Sequence, residues 1–102
     1  MSTTSIAEKI QKELNEEVSD PELKKRIGEW LAADKEFNVW FLVTTKRQLA
    51  DDELMALLDG YRESQEIVEN AWDDYCKKKD AAALLASLED SHKRMKALQD
   101  RG

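Results

Sequence analysis

The sequence predicts an all-α fold: a small bundle of four to five helices that closes with a C-terminal antiparallel helix hairpin. Three observations carry this expectation. Only three Gly and one Pro occur in 102 residues. Ala, Leu, Glu, Lys and Gln, the strong helix formers, are abundant. Apolar residues recur at three- and four-residue spacing, and no stretch alternates in the manner of a half-buried strand. The length is that of one domain, so residues 1–102 are read as a single helical domain.

The first helix is placed from Ile6 to Val18. Ser5 and Glu8 have capping-box spacing, and Ile6, Ile10, Leu14 and Val18 form a narrow apolar stripe. Ser19-Asp20-Pro21-Glu22 then starts a second helix. Ser19 and Glu22 can form another capping box, Val18 and Leu23 a hydrophobic staple, and Pro21 suits the first turn. Leu23, Ile27, Trp30 and Leu31 are its expected buried face.

Residues 34–48 are assigned to a third helix. Phe37 and Phe41 continue the preceding stripe, Asp34 interrupts it, and Val39, Trp40, Leu42 and Val43 fill the other faces. A helix apolar all round is expected to be central and buried. A single long helix running through Asp34 is the alternative.

The fourth helix is placed from Asp51 to Cys76. Leu54, Leu57, Leu58, Tyr61, Val68, Trp72 and Tyr75 share one arc, with Asp52, Asp59, Glu63, Glu66 and Asp73 opposite. Gly60 inside it marks a bend or a close contact. The last helix runs from Ala81 to Gln99 behind Asp80 as N-cap, with Leu84, Leu88, Met95 and Leu98 as its stripe. That stripe is out of phase with the preceding helix, which places a break at Lys77-Lys78-Lys79-Asp80.

Composition excludes several classes. One Cys makes no internal disulfide, and one Cys with one His cannot build a zinc site from those residues. The net charge of -6 argues against a direct nucleic-acid-binding surface. No leader pattern follows Met1, and the longest strongly apolar run, Val39–Val43, is far short of the roughly 20 residues a bilayer requires. The expected location is the cytoplasm, with no membrane contact. No Gly-rich phosphate loop occurs, and the Glu89-x-x-His92 pair lacks the second motif a di-iron bundle needs. No catalytic residue, metal or cofactor is therefore expected. Cys76 reads as a structural thiol, although the lysines that follow would lower its pKa.

The charge is segregated. Residues 51–76 hold nine acids and one base, Arg62, for -8, while the remainder holds 13 acids and 15 bases. The candidate partner-binding residues are Asp52, Met55, Asp59, Glu63, Glu66, Ile67 and Asp73, with Met55 and Ile67 as apolar anchors among carboxylates. The expected partner is another protein with a basic surface. Trp30, Phe37, Trp40 and Phe41 hold four of the seven aromatics and are either core or the interface of a homodimer. The function expected is that of a small acidic binding protein: adaptor, inhibitor or assembly chaperone. The alternatives are a nucleic-acid mimic that blocks a DNA- or RNA-binding protein, and a self-assembling structural subunit. Short length and acidity also match the compositional profile of regulators carried by phages and mobile elements.

Overall fold

The computed structural model describes residues 5–45 and 50–101, with the backbone alone for residues 45 and 101. It contains α1 (Ile6–Glu17), α2 (Pro21–Thr45), α3 (Asp51–Lys78) and α4 (Ala81–Arg101), and no strand among the described residues. Among the described residues, no helix is long and apolar enough to cross a membrane.

Local chemistry sets most boundaries. Ser5 Oγ accepts from the Glu8 N–H at 3.2 Å and opens α1. Val18, extended at φ -120° and ψ 121°, closes that helix. At the start of α2 the cap is Asp20 rather than Ser19: its Oδ1 accepts from the Glu22 N–H at 3.0 Å. This shift leaves Pro21 as the first helical residue, where its missing N–H has no partner to lose. Asp80 Oδ1 accepts from the Ala83 N–H at 3.3 Å and starts α4. The break before it is made by Lys79, which adopts a left-handed conformation (φ 57°, ψ 36°) and donates its N–H to the Tyr75 carbonyl.

The expected third helix does not exist as a separate element. Residues 34–45 continue α2 without a break, so the described chain has four helices; residues 46–48 of that expectation lie outside the described residues. Nor is the segment buried on all sides. Val39, Leu42 and Val43 are 57%, 63% and 52% exposed, while Phe37 and Thr44 are buried. The reason is Asp34. A carboxylate in mid-stripe looks like an interruption, but this one is buried and bonded to α3, so the stripe runs through it.

Helix α4 packs against both α2 and α3, and α1 packs against α2 and α3. The interior is filled by Ile10, Ile27, Trp30, Phe37, Val68, Trp72, Leu84 and Met95. Trp30 Nε1 donates to Ser91 Oγ at 3.0 Å inside this core, which satisfies both polar groups where α2 meets α4. Gly60 permits the close approach of α4: a Cβ there would lie 2.7 Å from Leu98 Cδ2. The Asp59-Gly60 pair, common in hairpin turns, lies within the continuous helix α3.

Helix α1 is fixed to the second half of α3. Lys9 Nζ meets Asp73 Oδ1 at 3.2 Å, Trp72 Nε1 donates to Glu13 Oε1 at 2.8 Å, and Lys79 Nζ reaches Glu17 Oε2 at 2.7 Å. From the Lys9–Asp73 pair to the Glu17–Lys79 pair, position in α1 rises with position in α3, so the two helices run in the same direction. The Glu17 carboxyl is held below its ordinary pKa by Lys79, and Lys79 is raised in return. Burial pushes the Cys76 thiol up, and Glu17 and Glu13 add to the effect, outweighing the opposing pull of Lys79. The following lysines therefore do not lower this pKa.

Candidate functional site

The helical period decides which side chains of α3 reach solvent. At about 100° per residue, positions 52, 59 and 66 stack on one line opposite Leu57, Val68 and Tyr75. Asp52, Asp59 and Glu66 are all exposed, and none forms an ion pair among the described residues. Asp52 Oδ1 accepts from the Glu53 N–H at 3.1 Å, within the first turn. Met55 is 54% exposed beside this row.

The remaining candidates sit at the flanks and already have partners. Glu63 lies 3.8 Å from Arg94 Nη1 of α4, on one side. Asp73 is held by Lys9 of α1 on the other, and this contact raises the Lys9 pKa. Ile67 is not on the acidic face. It is half-buried and lines a groove between α3 and α4 with Asn70, Ala71, Asp74, Ala83 and Ser87. A two-sided wheel misplaces it because α3 is covered by α4 on one flank and by α1 on the other.

The aromatic candidates divide similarly. Trp30 and Phe37 are 2% and 1% exposed and belong to the chain's own core. Trp40 and Phe41 are half-buried. Phe37 is the hub: its ring lies 5.4 Å from that of Trp40, 6.3 Å from Phe41 and 4.9 Å from Tyr61, the last with an interplanar angle of 2°.

Around this hub lies a polar cluster that periodicity alone did not reveal. Asp34 Oδ1 accepts from Tyr61 Oη at 2.8 Å and from Gln65 Nε2 at 2.9 Å. Asn38 Nδ2 donates to the Asp34 carbonyl at 2.8 Å and to Tyr61 Oη at 3.1 Å. Burial raises the Asp34 pKa, and the bonds from Tyr61 and Gln65 pull it partly back. Burial likewise drives the Tyr61 pKa well above its ordinary value. Beside the cluster, Phe37, Asn38, Phe41, Leu58 and Tyr61 line a small open pocket of about 80 Å³. The sequence signal was the polar residue in an otherwise apolar stripe.

His92 is exposed and lines a shallow depression with Arg26, Glu29, Trp30, Leu88 and Glu89. No group of three or more metal-ligating side chains occurs among the described residues. In comparisons with known proteins, the chain matches no family model, no curated protein and no solved structure.

Proposed function

We propose that the protein is a binding module that docks the acidic outer face of α3 on a basic surface of another protein, acting as an adaptor, inhibitor or assembly chaperone. The observation that carries this reading is the row Asp52, Asp59 and Glu66. These carboxylates recur every seven residues, about 10.5 Å apart along the helix axis. They are exposed, and none of them forms an ion pair among the described residues, with Arg62 one turn from Asp59 and Glu66 as the only base of this segment. Glu63 and Asp73 flank the row, and Met55 offers apolar contact beside it. In this reading α3 and α4 form an antiparallel hairpin that holds the face rigid, and the chain works in the cytoplasm without a cofactor.

Carboxylates arranged in this way accelerate encounter with a positive partner and reject acidic ones. The test is capture of partners from nuclease-treated lysate of the source organism at low and high salt. The bait is either the native chain or the Asp59→Lys/Glu66→Lys variant. A protein retained at low salt, released at high salt and lost with the variant supports the proposal. Retention of the same protein by the variant overturns it.

A further inference from the structure

Helix α1 covers only part of the channel between α2 and α3. It has 12 residues against 25 and 28 in its neighbours, so it extends about 18 Å beside helices of roughly 37 and 42 Å. Its Lys9 stands at Asp73 and its Glu17 at Lys79. Its N-terminus therefore points towards the first half of α3 and begins about two-thirds of the way along that helix.

Beyond that point the channel continues, uncovered among the described residues. Its floor is Phe37 and Tyr61, stacked face to face across the two helices. Its walls are Phe41 and Asn38 on α2 and Leu58 on α3, around the small open pocket. Leu42 and Met55, both more than half exposed, stand farther out on the same sides. On α3, about 60° steps lead from Tyr61 to Leu58 to Met55, with Arg62 between the last two, and Glu66 and Asp59 lie about 20° and 40° beyond Met55. The order across the helix is thus aromatic floor, aliphatic rim, acidic face.

We infer that this open half-channel accepts a basic amphipathic helix from another protein, laid in line with α1. The first argument is continuity. Nearer the other end of the molecule α2 and α3 already hold a helix, through the apolar stripe of Ile6, Ile10 and Leu14. The second is charge. A helix resting on Leu58 and Met55 places one polar flank over Asp59 and Glu66, two carboxylates against the single base Arg62 on that flank. Lysine or arginine on that flank matches the wall, and anchors at the i, i+4 spacing of α1 match the floor. The inference rests on the proposed acidic docking face and specifies the form of its partner.

The probe is a 14-residue peptide of leucine and lysine with leucines on one helical face. Its control has the same composition in alternating order. Both are titrated into isotopically labelled full-length protein, and amide shifts and affinity are read together. The patterned peptide is expected to bind at least tenfold more tightly than the control, with shifts concentrated at residues 38–42 and 55–62. Leu58→Lys is expected to weaken it at least tenfold with helicity unchanged. Met55→Lys, at a more exposed position, is the second variant and is expected to weaken binding severalfold.

Equal affinity for the two peptides overturns the inference, as do shifts confined to the outer face of α3. If the peptides bind equally but the Asp59→Lys/Glu66→Lys variant loses both, the acidic face stands and the channel does not. If neither peptide responds to that variant, the docking face itself fails. Dimerisation of the native chain that Leu58→Lys abolishes also overturns the inference, because the occupant is then a second copy.

Discussion

Tyr61 donates its hydroxyl proton to Asp34 at 2.8 Å, across the gap between α3 and α2, while its ring lies parallel to that of Phe37. One residue thus joins two helices by a hydrogen bond and by stacking at once. Tyr61→Phe keeps the ring and removes the donor, leaving Gln65 to bond the buried Oδ1. Urea unfolding should show a loss of about 1–2 kcal/mol, the cost of one donor removed from a buried acceptor that keeps another. The Asp34 pKa should also rise further, since the tyrosine bond lowers it.

Asp34 makes stability depend on pH in a definite direction. Burial raises its folded-state pKa above the ordinary 3.8. The folded chain therefore keeps this proton to a higher pH than the unfolded chain. The stabilisation from that proton is complete below the unfolded value and is lost as pH rises through the folded one. Asp34→Asn cannot titrate. The unfolding free energy of the native chain minus that of Asp34→Asn should therefore decrease over the interval that opens near the ordinary 3.8 and extends upward through the raised folded value. A difference that is flat or rises over this interval contradicts the assignment.

Two glycines within helices should respond oppositely to alanine. Around Gly28 a new Cβ meets nothing within 4 Å, so Gly28→Ala gains helix propensity alone. The expected gain is about 0.5–1 kcal/mol. At Gly60 the Cβ strikes Leu98, which is buried. Overpacking of this kind costs about 1–3 kcal/mol, enough to exceed the propensity gain. Gly60→Ala should destabilise the native chain yet stabilise a Leu98→Ala background. A double-mutant cycle by thermal unfolding measures that change of sign.

Ser91→Ala strands the Trp30 indole N–H. Ser91 and Trp30 are 0% and 2% exposed, and the bond between them is 3.0 Å. An unsatisfied buried donor costs about 1–3 kcal/mol. Ser91→Thr retains a hydroxyl and should recover part of that loss. Chemical denaturation followed by tryptophan fluorescence reads both variants.

The helices were legible wherever the information is local. Ser5, Pro21 and Asp80 act within one turn of themselves, and the stripes of α1, α3 and α4 can be read directly from sequence. The continuity of α2 was not legible. Asp34 is tolerated in the interior because Tyr61 and Gln65 reach it from 27 and 31 residues away. Ser64 and Ser91 were missed as core residues for a related reason. Ser64 turns its hydroxyl to the Tyr61 carbonyl at 2.7 Å, and Ser91 meets an indole from another helix. The exposed acidic row of the candidate site was legible because it depends on period alone. The placement of Ile67 depends on which flank α4 covers, and amphipathicity carries no such information.

The short reach of α1 gives the molecule two grades of local stability along its 44 Å length. Near one end, the backbone of α2 and α3 lies beneath a further helix, held by Glu13, Glu17 and Lys9. At the other, the last turns of α2 and the first turns of α3 are backed by α4 and the Asp34 cluster. Native-state amide exchange should therefore resolve two steps. Residues 38–44 and 53–60 open first at low denaturant, and residues 66–76 open only with the whole chain. An occupied channel would merge these steps into one, so exchange rates near Phe41 would report engagement of a partner without a label.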